Sequence, residues 1–253
     1  IRNNYKELTL HLKESGVLMD VIFRVFDDGI GFRYFFPSQD NFKHFIVDNE
    51  WSSFTMTGDH NAFWIPGDYD TNEYTYQRTK ISEIDALAAA AKEKDIAVTS
   101  LMGKNFVQTP LMLKSTDGIY VNVHEASLVN YPAMHLKLEG LEFTSALVPD
   151  AVGNKAYAQT PFNTPWRTVV VSNKAEQILA SKLILNLNEP SKIKDSTWIK
   201  PQKFMGMWWE MHVGKANWPL AGGKHGANTE NVKRYIDFAG KHGFDGVLVE
   251  GWN

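Results

Sequence analysis

The sequence contains no cysteine. That absence removes disulfide frameworks, thiolate zinc sites and cysteine nucleophiles together. It leaves the compartment open, since a reduced cytosol and a disulfide-free periplasmic protein both fit. An excess of one charge is also lacking: 26 Lys and Arg face 29 Asp and Glu, for a formal charge of −3. Without a basic footprint no nucleic-acid partner is expected. No apolar run approaches the roughly 20 residues that cross a bilayer. Mean hydropathy is −0.30, so no membrane-spanning helix and no membrane partner are expected. Among catalytic motifs, G-x-S-x-G, H-E-x-x-H and the dinucleotide G-x-G-x-x-G are all missing.

What the chain does have is aromatic rings: 15 Phe, 9 Tyr and 8 Trp, 13% of its residues. Such rings fill the cores of large sheets, burying about 150–250 Å² each. They are also the flat platforms on which sugars stack. A length of 253 residues accommodates one large domain or two modest ones. Strand signals begin early, with the polar and apolar alternation of Tyr5–Leu12. Val17–Phe26, a turn at Asp28-Gly29 and Ile30–Phe36 read as a hairpin. Further strands are expected at Phe42–Val47, Val98–Leu101, Gly118–Val123, Ala133–Leu138, Glu142–Val148, Arg167–Val171 and Lys182–Leu187. Only Ile84–Lys94 has strong helix propensity in this stretch. Residues 1–200 therefore read as a large β unit, most simply a sandwich of two sheets.

From Pro201 the pattern changes. Phe204–Glu210 (FMGMWWE) is nearly all apolar, as in a strand buried on both faces. Asn228 or Thr229 can cap a helix running to Gly240, with Val232, Tyr235, Ile236 and Ala239 on one face and Gly243 as C-cap. Asp245–Glu250 (DGVLVE) then reads as a second buried-type strand. Strand, helix, strand makes a βαβ unit with a parallel pair over residues 201–253. One such unit cannot cover both faces of its sheet. The chain is accordingly expected to be a piece of a longer protein.

Several residues could carry chemistry. Glu250 ends an apolar strand and is followed by Gly251-Trp252-Asn253, where (β/α) folds place functional groups. It could equally be a carboxylate leaving the sheet for solvent. Trp208 and Trp209 neighbour Glu210 at the end of the other strand, as sugar platforms or as core tryptophans. Asp68-Tyr-Asp-Thr-Asn-Glu73 gathers oxygen donors of the kind that suit calcium, although it fails the EF-hand pattern. A polar turn is the simpler reading of that run. His124-Glu125 closes a strand and reads more readily as a hydrogen-bonded structural pair or an exposed strand end than as a ligand. Gly222-Gly-Lys-His-Gly226 lacks the Walker spacing and is no phosphate cradle.

With these residues in view the chain resembles glycoside hydrolase family 97. The resemblance rests on WIPGDYDTNEYTY (64–76), VHEASLVNYPAMHL (123–136), TPWRTVVV (164–171), KFMGMWWEMHVGK (203–215) and HGANTENVKRYIDFAGKHGFDGVLVEGWN (225–253). It implies an α+β multidomain protein: an N-terminal β-super-sandwich leading into a catalytic (β/α)8 TIM barrel. It further implies a periplasmic, calcium-dependent α-glucosidase acting on malto-oligosaccharides, with α-galactosidases in the same family. A non-catalytic sugar-binding sandwich is the alternative of a different class. By resemblance Glu73 is a metal ligand, and Trp208 and Glu250 contact the substrate, an oligosaccharide. The family's acid and its base or nucleophile lie on later barrel strands, so no catalytic residue is expected within these 253 residues. The loop Ala216–Gly223 is shorter than the family pattern implies.

Overall fold

The computed structural model describes residues 3–94, 96, 98–217 and 222–250. They form two compact units divided between Pro190 and Ser191. The first unit is almost entirely antiparallel β-structure. Its larger sheet has nine strands, in the spatial order Lys6–Glu14, Val17–Phe26, Gly29–Phe36, Trp166–Ser172, Tyr120–Ala126, Leu111–Lys114, Asn61–Trp64 and Gln77–Lys80, with Phe162–Asn163 pairing on Gly29–Phe36. The smaller sheet orders Ser53–Thr55, Glu142–Leu147, Met134–Glu139 and Phe106–Gln108. Alternation along these strands sends one set of side chains inward. Trp64, Leu111, Leu113 and Val123 of the large sheet meet Val107, Leu136 and Phe143 of the small one in a single core. This is the expected sandwich. Its opposite large-sheet face buries Trp166, Val170 and Ala126 against Leu183 and Leu187.

Several expectations need correction. Lys182–Leu187 is not a strand: Leu183–Asn186 is helical. Its buried leucines, Leu183 and Leu187, stand four residues apart, a helical repeat that a short apolar run disguises. The hairpin of Val17–Phe26 and Gly29–Phe36 turns at Asp27-Asp28, since Phe26 pairs directly with Gly29. Gly29 is needed for close packing instead, because a Cβ there would meet the Val169 carbonyl oxygen at 2.2 Å. Val98–Leu101 contributes only one bridge, from Leu101 to Asp68. The expected helix at Ile84–Lys94 shrinks to Ala86–Ala90, with the Asp85 side chain capping the Ala88 amide.

In the second unit Phe204–Gly206 and Gly246–Leu248 form a parallel pair, joined by the helix Thr229–His242. The Asn228 side chain accepts from the Asn231 amide, and Gly243 closes the helix at φ 70°. The expected Phe204–Glu210 strand stops at Gly206. Trp208 lies in a turn, and Trp209–His212 form a short helix. The two tryptophans therefore follow the strand and, contrary to expectation, do not belong to it. Nor are these strands buried on both faces: Phe204 and Leu248 remain exposed, since each strand has one partner and one helix for cover. No described helix is long and apolar enough to cross a membrane.

Candidate functional site

The DYDTNEY segment forms a loop whose first carboxylate is wholly occupied. Asp68 is buried, and its oxygens accept from the amides of Asp70 (2.8 Å), Thr71 (3.2 Å) and Ser100 (2.9 Å) and from the Tyr74 hydroxyl (2.7 Å). Burial alone would raise its pKa. These donors outweigh that and hold it below the ordinary carboxylate value. Gln108 spans the loop, its amide nitrogen donating to the carbonyls of Pro66 (2.9 Å) and Thr71 (2.7 Å). His135 Nε2 lies 3.0 Å from the Asp68 carbonyl, which can only accept, so this nitrogen carries the proton. Burial lowers the His135 pKa and keeps the ring neutral. Gln108 and His135 are cross-strand partners in the small sheet, so they share its outer face.

At the tip of this braced loop stands Glu73. It is exposed, and its carboxylate accepts one long bond, 3.4 Å, from the Thr71 hydroxyl. A carboxylate with most of its lone pairs open suits a hard cation as one oxygen donor among several. Among the described residues no three His, Asp or Glu side chains gather as a metal-holding group. Glu73 thus fits the expected calcium as a single ligand. Asp68 does not, because its oxygens are spent on the loop. The polar-turn reading holds for Asp68, while the same turn displays Glu73.

Glu125 belongs to a different construction. Arg167 is fully buried between two carboxylates: its Nε and Nη2 donate to Glu50 at 2.7 Å each, and its Nη1 to Glu125 at 2.6 Å. Glu50 also accepts from the Ser52 and Tyr131 hydroxyls. Burial pulls the Glu50 pKa up, but Arg167 and the two hydroxyls hold it below the usual carboxylate value. Glu125, with fewer donors, is pushed up by its burial. Every oxygen here has a partner inside the sandwich, so the cluster is structural. His124 Nδ1 meets the Thr109 hydroxyl at 3.1 Å rather than its neighbour Glu125. Glu50 and Arg167 were not singled out from sequence. An arginine set between Trp166 and a valine run was the available signal.

In the second unit the Trp208 ring meets His212 edge-on at 5.6 Å, and Trp209 lies 5.5 Å from the same imidazole. Trp208 is half-buried and Trp209 mostly exposed. Glu210 is engaged by the Asn231 amide (2.8 Å), the Arg234 guanidinium and the Tyr235 hydroxyl. Burial raises its pKa, and these three donors bring it below the ordinary value. Its carboxylate fastens the Trp209–His212 turn to the long helix. Met205, Trp209, Val213, Tyr235 and Phe238 line a hollow of about 280 Å³ beside it. Glu250 follows the Gly246–Leu248 strand and is half-buried. The Gly251-Trp252-Asn253 motif after it, and part of the loop Ala216–Gly223, lie outside the described residues.

Comparison with known proteins decides the family. The sequence model described as Glycosyl-hydrolase 97 N-terminal matches residues 1–190, and that described as Glycoside hydrolase 97 matches residues 208–253. The chain belongs to glycoside hydrolase family 97. A family 97 enzyme from Pseudoalteromonas sp. strain K8, solved in complex with acarbose, superposes with a TM-score of 0.79 at 38% identity. That match covers 98% of this chain and 36% of the enzyme. A single-substitution variant of that enzyme has been solved with panose. A retaining alpha-galactosidase of Bacteroides thetaiotaomicron is 29% identical over 287 aligned positions, covering 100% of this chain and 39% of its own length. A probable retaining alpha-galactosidase of Streptomyces bingchenggensis is 26% identical, covering 94% and 32%. The chain thus spans well under half the length of its family 97 relatives.

Proposed function

We propose that these 253 residues are the sandwich domain and the opening of the barrel of a longer calcium-dependent glycoside hydrolase that cleaves α-glucosidic bonds of malto-oligosaccharides. The observation that carries this reading is the likeness, over nearly the whole chain, to an enzyme crystallised with acarbose and, as a variant, with panose. Both compounds are oligosaccharide-like ligands built on α-linked, glucose-type rings. Glu73 supplies one oxygen to calcium, Trp208 stacks on a sugar ring, and Glu250 accepts from a sugar hydroxyl. Calcium, when bound, supplies a concentrated positive charge beside the reacting bond. Hydrolysis also needs two carboxyl groups flanking that bond. By the family resemblance this pair lies on later barrel strands, outside these 253 residues, while the buried carboxylates Asp68, Glu50 and Glu125 are committed to structural partners. The proposed compartment is the periplasm, which cell fractionation checks.

A second reading, α-galactoside hydrolysis, is favoured by the names of the Bacteroides and Streptomyces relatives. The two are separated by assaying the full-length protein on p-nitrophenyl α-glucoside and α-galactoside, with and without EDTA. The first reading requires faster turnover of the glucoside, lost on chelation and restored by calcium, and no turnover by the 253-residue chain alone. Preference for the galactoside would install the second. Hydrolysis of neither, with maltoheptaose bound by residues 1–200, would instead favour a sugar-binding module.

A further inference from the structure

The loop that presents Glu73 is built with more care than a surface turn requires. Its first residues and its middle are tied to the small sheet, through the backbone of the edge strand Phe106–Gln108 and the side chains of Gln108 and His135. Pro66 bridges to Val107, and the Gly67 amide donates to the Phe106 carbonyl at 2.8 Å. Gly67 has no room for a side chain, since a Cβ would meet that of Phe106 at 2.7 Å. Gln108 then reaches across to two carbonyls five residues apart, Pro66 and Thr71. His135 holds the carbonyl of Asp68, while the Asp68 carboxylate gathers the amides that follow it. Thr71, fixed by Gln108 through its carbonyl and by Asp68 through its amide, is the residue whose hydroxyl touches Glu73.

We infer that Gln108 and His135, with Asp68, are positioning residues that hold the Glu73 carboxylate for its cation, acting through the loop without touching the metal. This deepens the proposed function and rests on its reading of Glu73 as a calcium ligand. The physical case is one of preorganisation. A flexible tip would have to be ordered when the cation binds, and outer partners of metal ligands are typically worth 10–100-fold in affinity. Gln108 is the cleanest probe. It is buried, its amide bonds both carbonyls, and it lies outside the main hydrophobic core.

The test is isothermal titration of calcium chloride into the full-length protein stripped with EDTA, with the thermal midpoint of each stripped variant measured in parallel. Glu73→Gln sets the reference and is expected to weaken binding by about 100-fold. Gln108→Met, which keeps the volume and removes both donors, is expected to weaken it by about 10-fold or more with the calcium-free midpoint close to wild type. His135→Gln, which retains a donor for the Asp68 carbonyl, is expected to bind more tightly than His135→Leu. Should Glu73→Gln bind calcium like wild type, Glu73 is no ligand and the underlying reading falls. Should Glu73→Gln weaken binding while Gln108→Met and His135→Leu leave affinity unchanged, the ligand assignment stands and the positioning inference is overturned.

Discussion

The two units of this chain bury their apolar residues very differently. Among the described residues, every buried hydrophobic side chain except Met207 and Ala239 lies in the first unit. The second unit leaves Phe204, Trp209, Ile236, Phe238 and Leu248 substantially exposed, although its strands and helix are correctly capped and paired. Local rules of propensity and capping therefore suffice to draw a βαβ unit, but they do not finish a core. The sandwich closes its core between two sheets and can afford a buried ion cluster and a braced loop. The braced loop that displays Glu73 belongs to that unit.

Substitutions sharpen the contrast in order of size. Arg167→Ala would strand Glu50 and Glu125 without their cation inside the sandwich. A loss of about 3–5 kcal/mol is expected, read as a lowered urea midpoint. Leu136→Ala, in the shared core, should cost about 2–5 kcal/mol by the same measurement. Acid comes next. Burial depresses the pKa of His124 and of His135, so the unfolded chain takes up their protons first, and stability falls as pH drops through the ordinary histidine range. Asp68 and Glu50, also depressed, contribute stability that is full above the ordinary carboxylate range and lost as pH falls through their folded values. Glu125, raised by burial, works in the opposite sense as pH rises through the carboxylate range. Urea midpoints of the 253-residue chain should therefore decline from about pH 7 to pH 5 and more steeply below about pH 4, and Asp68→Asn should flatten the lowest limb. The smallest effect is Ile236→Ala on the exposed face of the long helix, within about 0.5 kcal/mol. A cost matching Leu136→Ala would break the comparison.

Long alternating strands were legible in the sequence. Val17–Phe26 matches its expected limits, Glu142–Leu147 is one residue shorter than expected at its end, and Trp166–Ser172 extends one residue beyond expectation at each end. So was the helix capped by Asn228 and Gly243. Strands of three or four residues such as Ser53–Thr55, Asn61–Trp64 and Phe106–Gln108 carry too few periods to announce themselves. Their pairing is set by partners distant in sequence. For the same reason Glu73 was legible as an oxygen donor in an acidic run, while its support was not. Gln108 and His135 meet that loop only once the small sheet brings them together. Nothing in the local pattern around Arg167 names Glu50, 117 positions away.

Native-state hydrogen exchange on the 253-residue chain tests the central contrast most directly. The account predicts slow exchange at the amides of Leu111–Lys114, Tyr120–Ala126, Met134–Glu139 and Trp166–Ser172, and also at the loop amides of Asp70 and Ser100 held by Asp68. It predicts fast exchange across Phe204–Gly206 and Gly246–Leu248. Equal protection of the two regions, or free exchange at Asp70 and Ser100, would contradict it.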